Sequence, residues 1–158
     1  MSTLIKMKYL IIVVLLVTGL AANAQQGGQR KYINPEGLSK PNGYSHVVVA
    51  GGTIYVAGQV AYNEKGEVVG KGDLRVQATQ VFENIKKCLA SAGVTFQDVV
   101  KVNYYIANYN PEQVSIIREV RALYIPAENP PVSTLVGVQS LVRPELLIEI
   151  EVIARMKN

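Results

Sequence analysis

The chain has 158 residues, of which 49% are hydrophobic and 18% charged, with a formal net charge of +4, one histidine and one cysteine. That length and composition fit a single globular domain with a buried core. The lone Cys88 excludes an internal disulfide, one histidine and one cysteine argue against a zinc site, and no basic run longer than a pair such as Lys86-Lys87 offers nucleic acid an electrostatic footprint.

At the N-terminus, Lys6 and Lys8 precede an apolar run from Tyr9 to Leu20, and Ala22-Asn23-Ala24 forms a small-x-small site. The run is shorter than the about 20 apolar residues a membrane-spanning helix needs. Together these features predict a cleavable export signal over residues 1–24, Gln25 as the first mature residue, and the periplasm as destination. Met7 is an alternative initiator, and an uncleaved anchor helix is the competing reading. No cysteine follows the apolar run, so a lipoprotein anchor is not expected, and cleavage of the signal would leave no stable membrane anchor. Removing 24 of 158 residues leaves 134, and without Lys6 and Lys8 there are 14 basic against 12 acidic residues, a net of +2. The whole-chain pI of about 9.2 therefore overstates how basic the exported protein is.

Residues 25–43 are rich in Gln, Gly, Asn and Pro and read as a loose lead-in, with one short strand near Tyr32-Ile33; the domain proper spans 44–158. Val47-Val48-Val49 and Thr53-Ile54-Tyr55-Val56 flank Gly51-Gly52, a hairpin signal. No Gly-Lys-Ser/Thr follows those glycines, so a hairpin turn explains them better than phosphate binding. Asn63-Glu64-Lys65-Gly66 predicts a second turn before a short strand at Glu67-Val68-Val69. From Asp73 to Ala92, apolar residues recur at spacings of three and four (Leu74, Ala78, Val81, Phe82, Ile85, Leu89, Ala92), which predicts a helix started near Asp73 and stopped by Gly93. Val99–Ile106 alternates, with Val100, Val102, Tyr104 and Ile106 on one face and Lys101, Asn103 and Tyr105 on the other. Pro111 suits the first turn of a second helix running to about Tyr124, with Val114, Ile117, Val120, Arg121 and Tyr124 sharing a face. Ala127–Pro131 is a connector, and Ser133–Val138 and Leu146–Ala154 close the chain as strands. The order strand-strand, helix, strand, helix, strand-strand predicts an α+β fold with two helices on one face of a mixed sheet. The other face needs cover, which oligomerisation would supply.

The last strand carries the most chemistry. Ile148, Ile150, Val152 and Ala154 point one way, under the helices, while Glu149 and Glu151 point the other way, about 7 Å apart. These carboxylates form either a solvated sheet face or a polar cleft where subunits meet, with a carboxylate able to orient water or pair with a cation.

Four stretches, taken in register, resemble the RidA (YjgF-type) family: Asn42-Gly43-Tyr44-Ser45-His46-Val47, Gly52-Thr53-Ile54-Tyr55-Val56-Ala57-Gly58-Gln59, Thr134-Leu135-Val136-Gly137-Val138 and Ile148-Glu149-Ile150-Glu151-Val152-Ile153-Ala154. The resemblance covers nearly all of the chain after residue 24. It implies a chorismate-mutase-like fold, a homotrimer, and a small-molecule pocket at each subunit interface. It also implies cofactor-free hydrolysis of enamines and imines such as 2-aminoacrylate to keto acids and ammonia. By the same resemblance, Tyr44 lines the pocket, Gly58 brings backbone to the ligand, and Glu149 positions the attacking water. Ala57 stands where enzymes of the family often carry serine, and an asparagine of the second helix has no counterpart near Ile117-Arg118.

The family's enzymes clamp the substrate carboxylate with an arginine just after a Pro-x step, because a planar guanidinium grips a carboxylate bidentately. Registration on Pro131 and Gly137-Val138 puts Ser133 at that position, and a one-residue slip puts Val132 there; neither carries a charge. Arg143, beside Pro144, reads as a surface loop residue rather than a replacement.

Other single residues take plainer readings. His46, beside a strand start, is structural rather than catalytic. Cys88, next to Lys86-Lys87, is placed on the charged side of its helix, where cations would lower a thiol pKa, but no triad surrounds it. Of Tyr104 and Tyr105, one is expected in the core and the other at a subunit contact.

Two functions compete. One is a trimeric exported protein holding a small neutral or cationic ligand against Glu149, without standard 2-aminoacrylate deaminase activity. The other is an enamine/imine deaminase whose substrate needs no arginine clamp. Ribonuclease or translation-inhibitor activity, ascribed to some relatives, fits poorly with a near-neutral chain bearing an export signal.

Overall fold

The computed structural model describes residues 29–157; the expected export signal lies outside the described residues. β1 (Lys31–Ile33), β2 (Val47–Ala50), β3 (Thr53–Val60), α1 (Leu74–Ser91), β4 (Val99–Ala107), α2 (Gln113–Arg121), β5 (Val132–Val138) and β6 (Ile148–Arg155) follow one another along the chain. The strands form one mixed sheet in the order β1-β2-β3-β6-β4-β5. Among the described strands only β4 and β5 run parallel, joined through α2, as a parallel pair requires a crossover. The expected α+β architecture holds, and the lead-in does contribute a short edge strand at Lys31–Ile33.

Local chemistry explains the element boundaries. Gly51 and Gly52 both take positive φ, 54° and 73°, which a two-residue hairpin turn of type I′ needs. The Asp73 side chain accepts from the Val76 N–H and caps α1. At the other end Val94 N–H reaches the Leu89 carbonyl and Gly93 N–H the Ala90 carbonyl, a Schellman closure with Gly93 at φ 78°. Glu67-Val68-Val69 differs from expectation: only an isolated bridge, Tyr62 to Val68, forms there.

α1 buries its stripe of Leu74, Ala78, Val81, Phe82, Ile85 and Leu89 against the inward residues of the sheet, among them Ile54, Val102, Ile106, Ile148, Ile150 and Ala154. Two buried amides fasten the helix to strand ends. Gln77 donates to the Gly70 and Glu145 carbonyls and accepts from Leu147 N–H, and Asn84 donates to the carbonyls of Val60 and Tyr62.

In β4 the expected alternation breaks at its start. The β4–β6 register shifts between Val99 and Lys101. The extra residue turns Val99 into the core and leaves Val100 45% exposed. Tyr104 packs inward as expected of one member of the tyrosine pair. Cys88 corrects its expected placement. It is fully buried in the core cluster, and burial pushes its thiol up to about 12, opposite to the lowering that nearby lysines would cause. Its position in the stripe, three residues after Ile85, outweighs the two charged neighbours in sequence.

The sheet face away from the helices carries apolar side chains in the open: Tyr32, Tyr55, Val132 and Val136 are all exposed there. Among the described residues no helix is long and apolar enough to cross a membrane.

Candidate functional site

The polar centre of the open face is built on β6. Glu149 and Glu151 alternate with the buried Ile148, Ile150 and Val152. Glu149 is paired across the ladders with Val60 of β3 and Tyr105 of β4, and Glu151 with Asn103.

The two carboxylates are in different environments. Oε1 of Glu151 accepts from Asn103 Nδ2 at 2.7 Å and from the Tyr105 hydroxyl at 2.8 Å. Glu149 has no hydrogen-bond donor within reach among the described residues. Burial first, and the charge of Glu151 second, hold its carboxyl above the usual carboxylate range. A group of that kind takes up a proton or a donor readily, the property a water-orienting base or a cation receptor needs.

Gly58 makes room for Glu149. β3 carries one more residue than β6 between the Val56–Val152 and Gln59–Ile150 pairs, so the strand bulges at Ala57-Gly58. A Cβ on Gly58 would fall 2.8 Å from Glu149 Cδ and 3.1 Å from its Cγ, closer than side-chain atoms approach one another. The carboxylate therefore lies over bare backbone.

A buried pair behind the bulge holds its shape. Gln59 Nε2 donates to the Ala57 carbonyl at 2.9 Å and reaches His46 Nδ1 at 3.3 Å. His46 Nε2 sits 2.9 Å from the Ser39 carbonyl, which only an N–H can satisfy, so Nδ1 is left as the acceptor for the Gln59 amide. The His46 backbone completes the clasp, accepting from Ala57 N–H and donating to Asn34 Oδ1. Tyr44 stands edge-on to the His46 ring, centroids 5.3 Å apart. Its hydroxyl pKa is raised, first by burial and then by Tyr62, Cys88 and Glu149. Of the residues predicted for the site, Gly58 and Glu149 are in direct apposition, while the contact that defines Tyr44 is the one with the buried His46 ring. His46 is structural, as read from the sequence, and it shapes the site through Gln59, which periodicity does not single out.

Ser133 is placed elsewhere. In β5, Ser133 pairs with Val102 and Leu135 with Tyr104, both inward residues, so Ser133 faces α2. The open-face position is Val132, 67% exposed and paired with Lys101. Of the two registrations open in the sequence, only Val132 therefore shares a face with Glu149, a distinction set by the pairing of β5 with β4. Lys101 stands beside Val132 and lines a hollow of about 290 Å³ with Ser45, Tyr55, Asn103 and Glu151. The row Ile153–Lys101–Val132 lies four residues along β6 from Glu149, about 13 Å at 3.3 Å per residue. Arg143 pairs with Glu145 at 3.6 Å in the loop before β6. Among the described residues no three His, Cys, Asp or Glu side chains converge as metal ligands.

Comparison with known proteins gives this geometry its relatives. Residues 37–156 match the family model described as endoribonuclease L-PSP. A RutC family protein of Pyrococcus horikoshii is 40% identical over 127 residues, covering 79% of this chain and 97% of that protein. A 2-iminobutanoate/2-iminopropanoate deaminase of Dermatophagoides farinae is 39% identical over 67 residues, 42% of this chain and 52% of that protein. The crystal structure of a conserved Rid-family protein of unknown function from Yersinia pestis is 42% identical, with a TM-score of 0.63 over 80% of this chain and 98% of that one.

Proposed function

The chain belongs to the endoribonuclease L-PSP family, the family of the RutC and Rid proteins, and on that premise we propose that it is an exported, homotrimeric small-molecule-binding protein without standard 2-aminoacrylate deaminase activity. One observation carries the reading: the Glu149 carboxylate lies over Gly58, half-buried and without a donor among the described residues, while Val132, the one of the two candidate arginine positions that shares its face, is uncharged. A neutral or cationic donor ligand suits such a carboxylate. A carboxylate ligand would meet repulsion with no charge-assisted clamp to offset it.

The separation of about 13 Å between Glu149 and the Val132 row supports an inter-subunit pocket, since within one chain the two ends of the face cannot grip one small molecule. The exposed Tyr55, Val132 and Val136 on that face support a subunit contact. Export to the periplasm rests on Lys6, Lys8, the Tyr9–Leu20 run and Ala22-Asn23-Ala24.

A second reading, enamine/imine deamination, is favoured by Lys101. Its ammonium is a cation in the same row as Val132, and in a trimer it would accompany that position to a neighbour's Glu149. The assay that separates the readings measures ammonia release from 2-aminoacrylate generated in situ by a pyridoxal-phosphate lyase. The wild type is expected to match buffer, Val132→Arg to gain activity, and Ser133→Arg, directed toward α2, to gain none. Wild-type acceleration that Lys101→Ala abolishes would establish the second reading. Thermal-shift screening against neutral and cationic metabolites tests the binding role, and no shift across the panel would refute it.

A further inference from the structure

We infer that the opposite side of the sheet carries a second, separate binding site, for a short aliphatic carboxylate, between α2 and the β4–β5 edge. A cavity of about 200 Å³ opens there, lined by Tyr104, Val114, Ile117, Arg118, Arg121, Ser133 and Leu135. That is below the range that accommodates drug-sized molecules, so its occupant is small.

The lining has two parts. Val114 and Ile117, at helical spacing on α2, and Leu135 on β5 form an apolar wall. Arg118 and Arg121 lie on the same stripe at i+4 and i+7 from Val114 and bring two guanidiniums to the rim. Among the described residues neither has a carboxylate partner: Glu119 is taken by Arg75 and Glu145 by Lys71 and Arg143. Two unpaired cations beside one hollow attract an anion.

The independent pointer is Tyr104. It is only 2% exposed, and its hydroxyl has no hydrogen-bond partner among the described residues. A buried hydroxyl left unpaired is unfavourable, so native structures almost always supply it with an acceptor. A carboxylate held by Arg118 and Arg121 supplies that acceptor, and the Ser133 hydroxyl is a further donor at the strand edge. Ser133 thus belongs to an anion-binding group on the helix side of the sheet. None of these side chains is shared with Tyr44, Gly58 or Glu149, so this inference stands apart from the reading of the open face.

Isothermal titration with isobutyrate, at fixed pH and ionic strength, tests it on the full-length protein. Binding is expected in the wild type and in Glu149→Gln. It should weaken about 10-fold or more in Arg118→Gln/Arg121→Gln, the loss of a charge-assisted bond. Tyr104→Phe preserves the ring and should also weaken it while the fold, read by circular dichroism, stays intact. No binding, or equal binding in the double variant, overturns the site. Binding of inorganic phosphate as tight as that of isobutyrate overturns the aliphatic part of the assignment. A heat that chloride reproduces overturns it as simple charge screening.

Discussion

Glu149 and Gly58 exclude each other: a Cβ on residue 58 would sit 2.8 Å from the Glu149 Cδ. Gly58→Ala should therefore push the carboxylate off its place over the backbone and abolish ligand binding at the open face. Overpacking of this kind costs about 1–3 kcal/mol. Truncating the glutamate relieves it, so Gly58→Ala and Glu149→Ala should be non-additive by more than about 0.5 kcal/mol in a denaturation double-mutant cycle. Additive effects would mean that the two residues do not share the space.

The Glu149 carboxyl titrates above its ordinary value in the folded protein, because burial and Glu151 disfavour its charge. Its contribution to stability is full below the unfolded-state pKa, about 4.3, and is lost as pH rises through the folded-state pKa. Glu149→Gln removes that loss. The variant should gain melting temperature relative to wild type at pH 7.5 and much less, or nothing, at pH 4, as thermal melts at both pH values would show.

Gln59 holds the bulge through the Ala57 carbonyl and His46. Gln59→Leu strands those buried partners and should cost about 1–3 kcal/mol of stability. It should also weaken ligand binding at Glu149, although residue 59 points into the core. Urea denaturation alongside ligand titration would read both effects; loss of stability with undiminished affinity would refute the link.

Cys88, buried with a thiol pKa of about 12, should react with a thiol reagent only when the protein opens. Labelling by Ellman's reagent at pH 8 should follow unfolding, accelerating with denaturant. Rapid stoichiometric labelling of the native protein would contradict that burial.

Much of the fold was legible in the chain itself because its causes are local. Two glycines in succession allow the β2–β3 turn, Asp73 and Gly93 bound α1, and the period-two pattern of Ile148–Ala154 separates core from open face. Gly58 and Glu149, which the structure brings together, and Tyr44 also lie in stretches that resemble a known family. Tertiary structure alone decided the rest. Whether Val132 or Ser133 lies on the same sheet face as Glu149 depends on the pairing of β5 with β4, some thirty residues away. Whether Val99 or Val100 enters the core depends on a bulge against β6, and whether Cys88 meets solvent depends on the sheet packed beneath α1. A one-residue shift of register reverses the side every later residue faces, and register is set by contacts distant in sequence, so it cannot be read from any one segment.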